Sequence, residues 1–376
     1  MREGNLNRRQ RRTFCILVAS KVLVFEIHMQ RQQLYETPRE SLVAWLQQHG
    51  EPAFRAKQIE EWVWKRSASS FDAMMNVGKS LQESLKAQFS ISPLEWVKKE
   101  RSEDGETTKY LWKLHDGHFV ESVLIEAPGR MTVCVSSQVG CPVGCAFCAS
   151  GRAGFLRNLT TAEIVGQVME INRELMRLGQ KVSHVVFMGM GEPLRNYEAV
   201  VAAIRTLIHP DRLGLSQRRI TLSTVGVVEG IRALATEGIA INLAFSLHAP
   251  SQEVRKKIIP YARHYELGDI LRALEEYRKA TGRDITYEYI LLAGINDSPD
   301  DAHALIRLIK PPCSVNLIPY NPVAGVALKR PETDRIVAFR DILKKGGIVT
   351  TCRFTKGRDI AAACGQLAFV EHAPAL

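Results

Sequence analysis

The sequence predicts an α/β chain: an open barrel of six βα units, preceded by a helical accessory domain and a linking β-hairpin. Three observations predict it. Apolar residues recur at helical spacing between Met29 and about Glu100, two β-rich runs flank Asp116-Gly117, and short β-rich runs alternate with helical ones from about Thr132 onward. At 376 residues the chain is long enough for such a barrel with attachments. Hydrophobic residues at 45% and charged residues at 24% exclude a fibrous or wholly disordered protein. No window approaches the roughly 18 uncharged apolar residues of an ordinary membrane span, so no membrane partner is expected.

Residues 1–28 combine Arg8, Arg9, Arg11 and Arg12 with an apolar run from Phe14 to Phe25. Lys21 interrupts that run and no small-residue cleavage pattern follows, so the segment reads as a disordered tail or an upstream extension of the frame rather than a secretory signal. The helical domain, residues 29–100, rests on Leu42, Trp45 and Leu46 before Gly50, then Phe54, Ile59, Trp62 and Val63, then Leu81, Leu85 and Phe89. The three tryptophans Trp45, Trp62 and Trp64 at this spacing belong to the core rather than to a stacking surface. The linker, residues 101–130, holds β-rich runs at 110–114 and 119–125, and Asp116-Gly117 suits the positive φ of a tight hairpin turn.

The barrel, residues 131–350, takes strands at 132–136, 184–188, 220–223, 241–246, 285–291 and 315–318, with helices between them. One helix opens on a capping box, in which Thr160 bonds the backbone while Glu163 reaches back. Residues 351–376 form a carboxyl-terminal segment. In such a fold the chemistry belongs at the carboxyl ends of the strands. Fifty Lys plus Arg against 40 Asp plus Glu give a net charge of +10, which suits a polyanionic partner such as nucleic acid. Eight cysteines are too sparse for a disulfide scaffold, and three of them cluster, which points to a metal site in a reducing cytoplasm.

That cluster is Cys141-x-x-x-Cys145-x-x-Cys148, directly after the first barrel strand, with Gly140 and Gly144 giving the loop room to wrap. Three thiolates are one too few for a closed zinc site, whereas a cubane iron-sulfur cluster can keep three irons on cysteine and leave the fourth open to a ligand. Inert core cysteines, or zinc completed by Cys134, Cys352 or Cys364, are the alternatives. A second motif, Gly189-Met190-Gly191-Glu192-Pro193, ends the second strand, where glycines let backbone carbonyls approach an ammonium group and Glu192 offers complementary charge. Ser223, Ser246, His248 and Asn321 end later strands. Singly each is a satisfied polar terminus; together on one rim they read as a ligand site. Near the carboxyl end, Ala361-Ala362-Ala363-Cys364-Gly365-Gln366-Leu367 can place a thiol with little obstruction. Thr132, Cys134 and Ser136 share one strand face, so Cys134 can point into the barrel beside the cysteine loop.

The cysteine spacing after a barrel strand resembles that of radical S-adenosylmethionine (SAM) enzymes. With the run from Thr132 to Cys141, Gly-Met-Gly-Glu-Pro193, Ser246-Leu247-His248-Ala-Pro, Asn321-Pro and Ala-Cys364-Gly-Gln-Leu, the chain closely resembles the RlmN type of radical methyltransferase from about Glu40 to Leu367. The resemblance implies a partial (β/α)6, TIM-like radical SAM barrel. It also implies a 4Fe-4S cluster on Cys141, Cys145 and Cys148, and two SAM molecules per turnover, held by Gly191, Glu192, Ser223, Ser246, Leu247, His248 and Asn321. The implied reaction methylates C2 of an adenosine in 23S rRNA, with tRNA as a second substrate, in the cytoplasm, by a monomer that takes electrons from a donor such as flavodoxin. C2 lies between two ring nitrogens and is too electron-poor to attack a sulfonium methyl group, so a radical route is required. By resemblance Cys364 is methylated and bonds C2, Cys134 forms a disulfide with Cys364 to release product, and Glu121 is a proton acceptor.

Basic groups at Lys98 and Lys99, Arg218 and Arg219, Arg255 to Lys257, and Arg353, Lys356 and Arg358 are candidates for phosphate contacts, with solvated faces as the plain reading. Two other functions stay open. One is the sister Cfr-type family, which methylates C8 of the rRNA adenosine through the same cysteines; the other is a non-catalytic, zinc-stabilised RNA-binding protein.

Overall fold

The computed structural model describes residues 31–352 and 357–368. The extension at residues 1–28, and Arg353 and Lys356 of the basic set, lie outside the described residues. Helices α1 (Arg39–Gln48), α2 (Phe54–Glu60) and α3 (Lys79–Gln88) form the amino-terminal unit. Apolar positions three and four apart put Leu42 and Leu46, Ile59 and Val63, and Leu81 and Leu85 on inward faces. Trp64 is buried with them, and Trp45 and Trp62 pack against the same core, as their spacing predicts. A parallel pairing of Gln32–Gln33 with Phe89–Ser90 ties the unit's two ends together. The unit is continuous with the main core, and Lys65 Nζ donates to the carbonyls of Pro210 and Arg212 at 2.7 Å each.

Ten strands then form one sheet. They are β1 (Glu95–Arg101), β2 (Thr107–Lys113), β3 (Phe119–Ala127), β4 (Arg130–Cys134), β5 (His184–Phe187), β6 (Ile220–Thr224), β7 (Asn242–Ser246), β8 (Ile285–Leu291), β9 (Cys313–Pro319) and β10 (Val349–Cys352). Each lies beside its neighbours in sequence. β1 to β4 run antiparallel, and β4 to β10 are parallel. Helices α4 (Thr161–Arg177), α5 (Tyr197–Ile208), α6 (Val228–Thr236), α7 (Gln252–Ile258), α8 (Leu267–Thr281), α9 (Pro299–Leu308) and α10 (Thr333–Lys345) fill the crossovers. The capping box of α4 is present in full, Thr160 accepting from the Glu163 amide and Glu163 from the Thr160 amide.

All six expected barrel strands and the hairpin are found, and Gly117 takes φ +85° in the turn. Three details differ. The segment Glu95–Arg101, read as the end of the helical domain, is instead strand β1, because β2 presents an open ladder that even a charged, lysine-bearing segment can cover as an edge strand. With β3 pairing antiparallel to β4 on the other side, the hairpin is part of the main sheet rather than a separate linker. The strand Val349–Cys352 adds a seventh parallel member at the far edge. Finally, β4 stops at Cys134, and Ser136 turns out of the ladder, its Oγ donating to the Glu121 carbonyl at 2.6 Å while accepting from the Met190 amide at 2.9 Å.

Candidate active site

The three clustered cysteines occupy a loop pinched at its base. Gln138–Gly140 pairs antiparallel with Phe155–Asn158, and the Cys141 amide donates to the Gly154 carbonyl at 2.8 Å. Gly140 has φ +74°, and a Cβ there would lie 1.9 Å from the Gly154 oxygen, so no other residue permits this approach. Inside the loop, Val143, Cys145 and Phe147 pack with Ile258, Ile259, Ile290 and Tyr320 in a small second core, and the Ala146 amide donates to the Ile258 carbonyl at 2.9 Å.

Burial and the other cysteines' charges push the Cys141 thiol up to about 12 and Cys145 well above its usual value. Thiols held protonated in this way at Cys141 and Cys145 suit a cationic centre, which would draw off their protons. Among the described residues no three His, Cys, Asp or Glu side chains are gathered closely enough to hold a single metal ion. An iron-sulfur cube spaces its ligands more widely, and three cysteines without a fourth ligand match its donor set.

The other predicted residues share the rim at the carboxyl ends of the strands. Gly191 takes φ +108° against Gln138, whose Oε1 accepts from the Glu192 amide at 2.8 Å, so the glycine motif and the cysteine loop are held in register. Glu192 is buried and caps a short helical turn, with its carboxylate accepting from the amides of Leu194 at 3.0 Å and Val225 at 2.9 Å. Burial raises its pKa to about 7 against those bonds. Ser223 and Ser246 face each other across β6 and β7, with hydroxyl oxygens 3.3 Å apart. Leu247 is fully buried. His248 has φ 58°, and its Nδ1 accepts from the Ile290 amide at 3.0 Å. Burial, helped by the Arg255 charge, lowers its pKa to about 3, so the ring is neutral with its proton on Nε2.

A cavity of about 590 Å³ brings together Cys134, Cys148, Gly189, Asn321, Cys352 and Cys364, which the chain order separates widely. The exposed Cys364 sits on the carboxyl-terminal segment, whose contacts lead to the cysteine loop and to the loop after β9. Asn321 Nδ2 donates to the Cys364 carbonyl at 3.1 Å, the Ala149 amide to the Gly365 carbonyl at 2.8 Å, and Gln366 Nε2 to the Pro322 carbonyl at 2.9 Å. Ser150 also donates to the Leu367 carbonyl. Cys134 is buried at the end of β4. Glu121 lies on β3 in the same alternation as Val123 and Ile125, which line the cavity, and it pairs with Lys109 Nζ at 3.3 Å. Burial raises its pKa, against the pull of Lys109.

Several supports escaped the sequence reading. Gln138, bonded also to Asn158 at 2.8 Å, and Gln366 look like ordinary polar residues in sequence. Arg255 was grouped with the exposed basic candidates, yet it is fully buried. Its helical phase with Ile258 on α7 turns it inward, a signal that three consecutive basic residues conceal.

Comparison with known proteins gives the family. Residues 135–308 match the Radical SAM superfamily, and residues 32–91 match the ribosomal RNA large subunit methyltransferase N-terminal domain. The chain is 59% identical to the probable dual-specificity RNA methyltransferase RlmN 2 of Protochlamydia amoebophila, over 89% of this chain and 93% of that one. It is 46% identical to the probable dual-specificity RNA methyltransferase RlmN of Thermotoga neapolitana, over 89% and 97%. The crystal structure of a radical SAM methyltransferase from Sphaerobacter thermophilus superposes with a TM-score of 0.87 at 42% identity, covering 89% of this chain and 99% of that one. A 4Fe-4S cluster and SAM are the cofactors of such enzymes, in accord with the three-thiol loop. With the amino-terminal domain match, 59% identity over 89% of the chain and this superposition together, the chain belongs to the RlmN family of radical SAM methyltransferases.

Proposed function

We propose that this enzyme methylates C2 of an adenosine in the peptidyl-transferase centre of 23S rRNA, and of the adenosine beside the anticodon in tRNA, by way of a methylated Cys364. The observation that carries the reading is the single cavity shared by Cys134, Cys148 of the cluster loop and Cys364. The relatives' name, dual-specificity RNA methyltransferase, and the net charge of +10 favour an RNA substrate of two kinds. Cys141, Cys145 and Cys148 hold the cluster, and Gly191, Glu192, Ser223, Ser246, Leu247, His248 and Asn321 surround SAM. When bound, these groups supply the methyl group and the one-electron cleavage that yields a carbon radical.

The protein's own residues do the rest. Cys364 Sγ takes the methyl group, loses one hydrogen atom from it, and joins C2 through that carbon. Once the adduct has given up one electron, which the cluster that Cys141, Cys145 and Cys148 would hold can take back, Glu121 and Cys134 serve removal of the C2 proton, Glu121 lying beside the cavity with its pKa raised. Cys134 Sγ then bonds Cys364 Sγ; the bond from Cys364 to the carbon breaks, the electron pair stays on carbon, and a proton completes the methyl group. The transient disulfide is reduced to two thiols by an external dithiol, which becomes a disulfide in turn, before the next cycle. An adenosine in folded RNA must leave its stack to reach this cavity. Exposed Lys98, Lys99, Arg218, Arg219 and Arg358 are the basic groups nearest to a phosphate-binding role, with a flavodoxin-type electron donor and a monomeric cytoplasmic enzyme completing the proposal. No helix of the described residues is long and apolar enough to cross a membrane.

The test uses RNA and two variants. Cys134→Ala should accumulate a covalent enzyme-RNA adduct, and Cys364→Ala should form none. Mass spectrometry of rRNA and tRNA from a deletion strain should show loss of 2-methyladenosine. An adduct that persists in Cys364→Ala, or methylation at C8 alone, overturns the reading.

A further inference from the structure

The guanidinium of Arg255 is fully buried, yet it meets no carboxylate among its hydrogen bonds. Its Nε donates to the Leu247 carbonyl at 2.9 Å, and its Nη2 to the carbonyls of Val225 at 3.1 Å and Ser246 at 3.4 Å. These three carbonyls lie just past β6 or at and just past the end of β7, where the ligand rim is built. The remaining nitrogen, Nη1, is buried and has no hydrogen-bond partner. Phe245 covers the group, with its ring centroid 5.0 Å from the guanidinium carbon. Arg255 shares α7 with Ile258, which packs in one core cluster with Cys145 and accepts from the Ala146 amide at 2.9 Å, so the buried cation stands on the helix that braces the cysteine loop.

A buried, unneutralised cation with an idle donor is costly, and a fold keeps one where something anionic faces it. The anion here is the cysteine loop once it is loaded. Resting on the reading of Cys141, Cys145 and Cys148 as cluster ligands, we infer that Arg255 is a positioning residue whose fixed positive charge, on the helix packed against the cysteine loop, raises the reduction potential of the cluster, while its three carbonyl bonds hold the Ser246-Leu247-His248 rim against the same loop. Adding an electron makes the cluster and its thiolates more negative, and a nearby cation in a dry site favours the more negative state. Removing the charge makes reduction harder. The residue acts on electron entry and leaves the thiols of methyl transfer alone.

The test measures the potential itself. The full-length protein is reconstituted anaerobically with iron and sulfide as wild type, Arg255→Lys, Arg255→Gln and Arg255→Met, and titrated with a low-potential reductant while the reduced cluster is followed by electron paramagnetic resonance. For Arg255→Gln and Arg255→Met the reduction equilibrium should fall at least tenfold, a shift of about 59 mV to more negative potential for one electron. Arg255→Lys keeps the charge and should stay within threefold of wild type, which separates charge from mere packing. Gln retains part of the carbonyl bonding, so it reports even if Met does not fold. A wild type without the reduced-cluster signal overturns the cluster reading beneath. A wild type with the signal, and unchanged potentials in both uncharged variants, overturns only the role of Arg255, as does a Lys variant that falls as far as Gln.

Discussion

Replacing Gly140 by Ala tests whether the cysteine loop is built by the close approach of two backbones. The new Cβ would sit 1.9 Å from the Gly154 oxygen, so the strands must part by about 1.5 Å to reach ordinary contact near 3.4 Å. That displacement breaks the 2.8 Å bond from the Cys141 amide to the same oxygen. A buried donor left without its partner costs about 1–3 kcal/mol. Holding alanine at φ +74° adds about 1–2 kcal/mol. The expected loss is therefore roughly 2–5 kcal/mol, with most of it at the base of the loop. Gly117→Ala is the control, since φ is +85° there but nothing lies within 4 Å of the added carbon; it should lose only about 1–2 kcal/mol. Urea midpoints supply the stabilities, and iron per chain after anaerobic reconstitution supplies the consequence. Gly140→Ala should hold less than half the wild-type iron, and Gly117→Ala should hold all of it. Equal stability and equal iron in the two variants would refute the reasoning.

Three further outcomes are expected. His248 titrates at about 3 when folded against 6.5 when unfolded, so the unfolded chain binds the extra proton between those values; stability present above pH 6.5 is lost as pH falls, by roughly 1.4 kcal/mol at pH 5.5. His248→Gln should lack that increment in paired urea titrations at pH 7.5 and 5.5, and the subtraction removes the opposite contribution of Glu192, whose raised pKa favours the folded state at lower pH. Asn321→Ala removes the 3.1 Å bond to the Cys364 carbonyl at a cost of about 1 kcal/mol, and should speed alkylation of Cys364 severalfold relative to Cys313, as read by peptide mass spectrometry. Arg157→Ala leaves buried Glu163 without its two guanidinium bonds at 2.8 and 2.9 Å and frees Asp116 of the hairpin; because Arg157 is 26% exposed in its side chain, the cost should be about 2–3 kcal/mol rather than the full buried-pair value, and a midpoint unchanged within error would count against it.

Much of the fold was legible because its determinants are local. Strands β5 to β9 are apolar runs flanked by glycine and polar turns, and a parallel strand covered by helices needs little else. The capping box and the Asp116-Gly117 turn are decided by a few adjacent side chains, and both appear where the residues place them. β1 was not legible. Its residues, Glu-Trp-Val-Lys-Lys-Glu-Arg, are mostly exposed, and only the unpaired edge of β2 makes them a strand. At the site, the cysteine spacing carried the metal reading, but the fate of Glu192 did not follow from its motif, because two of its carboxylate bonds come from amides, one of them beyond the next strand. Arg255 was misplaced for a related reason: charge argues for solvent in a sequence, and only helical phase and the waiting carbonyls of Leu247, Val225 and Ser246 argue otherwise.

The antiparallel strands change how the cavity itself is understood. Thr107, Val123, Ile125 and Ala127 line it from β2 and β3, while Val186, Ile318 and Cys352 line it from the barrel, so Cys134 at the end of β4 stands where the two halves of the sheet meet. A cavity walled by the barrel alone would hold the cysteine loop but no buried thiol facing a second wall. The antiparallel extension supplies that wall, and it brings Glu121 and Lys109 to the edge of the same space. The carboxyl-terminal segment then closes it with Cys364, its described residues held by hydrogen bonds to loops and by Ala362 and Leu367 packed into the main core. On the proposed reaction, the buried Cys134 at the end of a strand ladder and the exposed Cys364 on that segment are the two thiols that act in succession across this cavity.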